Sequence, residues 1–145
     1  MFSTLDGWAV VAVARWCRIF DGSLDQLAEA RRFVRLVADG HEMTFMAELV
    51  VCELATNAVL HTDSGEVSGR FVVEAEFGPE SVNVAVDDMG AAQEPAAVVE
   101  TPEDAVSGRG LWMVELLSLK WGFEPTRVGR RAWEVLPASL DDAHA

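Results

Sequence analysis

Glu53, Asn57 and His61 stand at four-residue steps within residues 48–61, and such steps keep side chains on one helix face with a slow drift around the axis. The rest of the helix that carries them is hydrophobic: Phe45, Met46, Leu49, Val50, Val51, Leu54, Ala55, Val59 and Leu60 leave almost no face for water. A helix of this kind is normally buried, so a carboxylate and an amide are carried into an interior or a cleft, where unpaired they cost several kcal/mol. Bonds to neighbouring backbone would satisfy them, and so would a metal with its ligand. The carboxylate suits proton abstraction, and the amide oxygen suits a hard cation. His61 ends the helix, where an imidazole interacts with the last carbonyls, and it is left out of the chemistry.

Two further motifs carry chemistry. Asp87-Asp88-Met89-Gly90 follows an alternating apolar segment; a carboxylate at a strand end can accept from an exocyclic amine, and the glycine permits a sharp turn and the approach of a flat ligand. Ser107-Gly108-Arg109-Gly110 precedes Leu111, Met113, Val114, Leu116 and Leu117 at helical spacing. Glycines at a helix start expose backbone N–H groups and the positive end of the dipole to phosphate, and Arg109 can add a charge-assisted contact. Each motif alone is weak. Their joint presence in this order is much more specific.

The elements that must position these residues follow from local patterns. Residues about 8 to 20 are rich in β-branched and aromatic side chains and predict a strand with an ill-defined start, ended by Asp21-Gly22. Ser23 with Gln26 forms a capping-box pattern ahead of a helix with an apolar stripe of Leu27, Ala30, Phe33, Val34 and Val37, closed by Gly40. Thr44 can cap the central helix, which runs to about Thr62 and is ended by Asp63-Ser64-Gly65. Residues 70–77 and 81–88 alternate about Gly78-Pro79-Glu80 and predict an antiparallel hairpin; residues 120–125 and 131–136 about Thr126 to Arg130 predict a second. Residues 91–107, rich in alanine, proline and acid, predict a connection or lid.

Composition sets the remaining bounds. With 145 residues, half of them hydrophobic, the chain suits one domain with a real core. Asp and Glu outnumber Lys and Arg 24 to 11, for a net charge of -13; such a surface repels phosphate backbones and argues against direct nucleic-acid binding, while suiting a basic protein partner. Cys17 and Cys52 lie in apolar contexts without metal or disulfide spacing and read as small buried hydrophobes. The apolar run from Trp8 to Ala14 imitates part of a signal peptide, yet Asp6 stands where a basic region is needed. With no segment of transmembrane length, a soluble, cytoplasmic protein without a membrane role is expected.

Residues 53–61 (ELATNAVLH), 84–90 (VAVDDMG) and 108–111 (GRGL), with residues 20–31 upstream and Trp121-Gly-Phe-Glu-Pro125 and Trp133 downstream, resemble the anti-sigma-factor-type serine/threonine kinases of the GHKL, or Bergerat, ATPase superfamily, especially small actinobacterial members. The similarity runs from about residue 16 to 137. It implies an α+β two-layer sandwich: a mixed, mainly antiparallel sheet with helices on one face, as a single domain over residues 1–137 followed by a short tail, with ATP and Mg²⁺ as cofactors. By position, Asn57 would hold Mg²⁺, Asp88 would read the adenine amine and Gly90 would admit the base. Gly108, Arg109 and Gly110, with Leu111 completing the box, would cradle phosphates, and Glu53 would be the general base. Ala91-Ala92 replace a second glycine common in relatives. The implied activity is phosphorylation of a serine on a small anti-sigma-factor antagonist, with a sigma factor as the other partner and a homodimer among the assemblies relatives form. The competing expectation is a nucleotide-gated binding module without phosphotransfer.

Overall fold

The computed structural model describes residues 14–91 and 117–142 in full, together with the backbone of two strands, β1 (Phe2–Leu5) and β2 (Trp8–Val11). These two pair antiparallel, Leu5 opposite Trp8, so the single strand expected from residue 8 to 20 is divided. In the sequence Asp6-Gly7, a dipeptide pattern of two-residue hairpin connections, stands between them. Only β3 (Arg15–Asp21) joins the main sheet.

That sheet has five strands in the order β3-β4-β5-β7-β6, with β4 (Arg70–Phe77), β5 (Ser81–Asp88), β6 (Lys120–Pro125) and β7 (Arg130–Pro137). Every pairing in it is antiparallel, so the parallel component implied by the resemblance does not occur among the described residues. Both hairpins form. Gly78 N–H donates to the Ser81 carbonyl at 2.9 Å, and Thr126 N–H donates to the Gly129 carbonyl at 2.9 Å. Strict alternation places Phe71, Val73 and Ala75 of β4 and Val82, Val84 and Val86 of β5 on one buried face.

Helices α1 (Leu27–Ala38) and α2 (Thr44–His61) cover that face. Ala30 and Val34 of α1 and Ala47, Val50, Val51 and Ala55 of α2 are fully buried in one cluster with the sheet residues and Leu136. The result is a two-layer α+β sandwich. The α1 entry differs from the capping-box expectation: Ser23 makes no side-chain cap, its hydroxyl donating instead to the Asp25 carboxylate, and the chain enters through a 3-10 turn at Leu24–Gln26. At the other end Asp39 already takes the left-handed conformation (φ 47°), one residue before Gly40. Thr44 is the first residue of α2 rather than its cap, and its hydroxyl donates to the His41 carbonyl at 2.5 Å. Nor is α2 buried all round: Phe45 is 62% and Leu60 50% exposed, one near each end.

The opposite sheet face carries charge. Arg15 bridges Glu74 and Glu76, and Arg131 bridges Glu74 and Asp87, with separations of 3.0 to 3.2 Å. Cys17 is exposed, against the expectation of burial, because β3 is an edge strand with only Phe20 buried. Cys52 is half-buried, and both thiols are free. Among the described residues no helix is long and apolar enough to cross a membrane.

Candidate functional site

The sheet end at which β5 stops and β7 starts lies beside the C-terminus of α2, and hydrogen bonds fasten the two together. Asp63 N–H donates to the Gly90 carbonyl at 2.7 Å, and Met89 N–H donates to Ser64 Oγ at 2.9 Å. Ser64 itself is fully buried. Its N–H donates to Thr62 Oγ1 at 3.1 Å, while the Thr62 hydroxyl donates to the Ala58 carbonyl at 2.6 Å. The chain leaving α2 is thereby folded back against the 88–90 turn. Replacing Ser64 by alanine leaves the Met89 amide without its acceptor, at about 1–3 kcal/mol; the expected result is a melting temperature lowered by several degrees, read by thermal denaturation.

On α2, Glu53 is buried, with 5% of its surface exposed, and Asn57, one turn further, is half-buried. His61 is exposed at the helix end. Asp88 is buried at 3% exposure on the helix-covered face. One carboxylate oxygen accepts from Gly90 N–H at 2.7 Å. The other faces Arg130, whose Nε and Nη2 both lie 3.4 Å away. Burial pushes the Asp88 carboxyl above its ordinary value, with the Gly90 N–H and the Arg130 charge pulling the other way.

Gly90 has φ +69°, a backbone that favours glycine. It faces Gly129, where an added Cβ would stand 2.1 Å from the Asp88 carbonyl oxygen and 2.5 Å from the Gly90 nitrogen. The two turns therefore pack backbone to backbone. Beside them opens a cavity of about 510 Å³ lined by Thr62, Met89, Gly90, Phe123, Gly129 and Arg130, within the range of small-molecule pockets.

Of the residues predicted from sequence, Asp88 and Gly90 are joined directly, whereas Asn57 and Glu53 lie further back on α2, whose C-terminal continuation at Asp63 and Ser64 is bonded to the 89–90 turn. Gly108, Arg109, Gly110 and Leu111, and residues 92–107 of the expected lid, lie outside the described residues. Sequence reading did not single out Ser64, Gly129 or Arg130. The signal for the last two was their position at the end of the β6–β7 turn and the start of β7, opposite the Asp88 loop, which requires the strand order to be known.

An antiparallel sheet covered on one side by two helices, with a buried carboxylate turned by glycine beside the helix end, has the build of an α+β nucleotide-binding domain. The model of the histidine kinase-like ATPase domain matches residues 20–128, most of the chain, and the protein belongs to that ATP-binding family. No curated protein matches it.

Proposed function

We propose that this protein is an ATP-dependent serine/threonine protein kinase that acts as an anti-sigma regulatory factor, phosphorylating a serine of a small antagonist protein and otherwise holding a sigma factor. The observation that carries the nucleotide part is the buried Asp88 carboxylate, held by Gly90 and Arg130, both of which line a cavity at the fastened junction of α2 and β5. The kinase part rests on Glu53, a desolvated carboxylate one turn before Asn57 on the same helix.

Among the described residues no group of three or more His, Cys, Asp or Glu side chains could cage a metal. The donor set offered by α2 is an amide oxygen beside a carboxylate, hard oxygen chemistry that fits Mg²⁺ carried in on a nucleotide and still holding phosphate oxygens and water. Asn57 would hold that ion, which when bound neutralises phosphate charge. Asp88 accepts the adenine amine, Gly90 lets the base approach the backbone, and residues 108–111 supply N–H groups to the phosphates. Glu53 takes the proton from the attacking serine hydroxyl as its oxygen bonds to the γ-phosphorus and the bond to ADP breaks, with the remaining catalysis coming from positioning and charge neutralisation. The acidic surface, with its net charge of -13, suits a basic partner such as a sigma factor in the cytoplasm.

The test separates binding from transfer. Asn57→Ala is expected to abolish Mg-ATP binding in calorimetry, while Glu53→Gln keeps it and loses phosphorylation of a cognate antagonist by about 10²-fold or more. Parent-rate transfer by Glu53→Gln would refute the general-base role. Parent protein that binds Mg-ATP but transfers nothing to any antagonist would favour a nucleotide-gated binding module.

A further inference from the structure

Arg130 has no part in the reaction set out above, yet it stands directly across the β5–β7 ladder from Asp88. Its guanidinium lies 4.5 Å from the centroid of the Phe123 ring, stacked as a cation on an aromatic face. The side chain is 22% exposed and lines the cavity, whereas that of Asp88 is 2% exposed beneath it. Guanidinium has five N–H donors in a rigid fork. Nε and Nη2 reach Asp88, at 3.4 Å each, and among the described residues Nη1 and the second Nη2 hydrogen are left for a ligand.

Asp88 alone can only accept, which suits the 6-amino group of adenine and repels the 6-oxo group of guanine. Arg130 alone can only donate, which suits ring nitrogens and 6-oxo groups; paired Arg contacts to guanine O6 and N7 are the common form of this chemistry. Gly90 N–H holds one Asp88 oxygen at 2.7 Å, so the acceptor on offer is the oxygen beside the guanidinium. Arg130 thus presents its donors at the cavity wall, with the Asp88 acceptor directly behind it.

Resting on the nucleotide-binding reading above, we propose that Arg130 is the second purine-reading residue of this site and that it sets tolerance for 6-oxo purines. ATP places its amine on Asp88 and a ring nitrogen on Arg130. GTP places O6 on Arg130 and its N1–H on Asp88.

The experiment is titration of the full chain, and of Arg130→Ala and Arg130→Gln, with Mg-ATP and Mg-GTP, with melting curves for each. Parent protein is expected to bind GTP within about tenfold of ATP, and Arg130→Ala to raise the preference for ATP by about tenfold or more, the size of one good base-edge contact. Arg130→Gln, which keeps a stem against Phe123 but loses the charge and most donors, shifts the ratio the same way by a smaller factor and serves if the alanine variant does not fold. A purely structural arginine would weaken both nucleotides alike and leave the ratio unchanged, which overturns the proposal. So does parent protein that binds ATP but excludes GTP by about 10³-fold or more, a result that leaves the proposed function standing. Parent protein that binds neither nucleotide defeats both.

Discussion

Gly129→Ala is expected to lower the melting temperature by roughly 5–10 °C, from an overpacking cost of about 1–3 kcal/mol or more in a domain of this size, and to remove nucleotide binding with it. The added methyl group would stand 2.1 Å from the Asp88 carbonyl oxygen, 2.4 Å from the Met89 carbonyl carbon and 2.5 Å from the Gly90 nitrogen. All three are backbone atoms and cannot swing aside, so the 88–90 turn must leave the β6–β7 turn. That movement pulls on the Gly90 N–H bond to Asp88 and on the Asp63 bond to Gly90. Gly40→Ala is the control. Gly40 has φ +79° but nothing within 4 Å of an added Cβ, so it should cost about 1–2 kcal/mol of backbone strain and leave nucleotide affinity untouched. Thermal melts with nucleotide titration of both variants read the contrast. Equal losses of affinity would show that the backbone contact at Gly129 has no special bearing on the site.

Asp88→Asn is expected to weaken ATP binding by about 30- to 300-fold, the cost of setting a donor against a donor in a buried site. The Gly90 N–H donates to one Asp88 oxygen at 2.7 Å. The amide keeps that bond through its own oxygen, which forces its NH₂ toward Arg130 and the base. The same variant tests the carboxyl in the absence of nucleotide. Burial raises the Asp88 carboxyl in the folded state, so the fold holds this proton more tightly than the unfolded chain does. Its contribution to stability is then fully present below the unfolded value, near pH 4, and is lost as pH rises through the folded value. Urea unfolding of parent and Asp88→Asn across the mildly acidic range should show the parent losing ground to the variant as pH rises. A difference that grows with pH in the parent's favour would mean that the Gly90 N–H and Arg130 outweigh desolvation.

What could be read from the sequence was whatever repeats with a local period. The 70–77 and 81–88 strands emerge with the bounds expected, because their alternation is strict and Gly78 and Pro79 interrupt it. Helix α2, and the order of the carboxylate, amide and Asp-x-Gly motifs, were equally plain. The β1–β2 pair was not, since Trp8 to Ala14 is continuously apolar and carries no period to divide it. The Ser23 cap failed because its side chain is turned to donate to the Asp25 carboxylate two residues away, and its oxygen accepts from none of the first helical N–H groups. Cys17 looked like core by its neighbours and is exposed by its place on an edge strand. Ser64, Gly129 and Arg130 act across the strand register or by contact between distant backbones, and no spacing within one sequence encodes that.

The bonds from Asp63 to Gly90 and from Met89 to Ser64 bear on affinity as well as on shape. They fix the distance between the Asn57-bearing helix and the 88–90 turn during folding, so the entropy of bringing those two halves together is spent before a ligand arrives. Preorganisation of this kind strengthens binding without adding a single contact to the ligand.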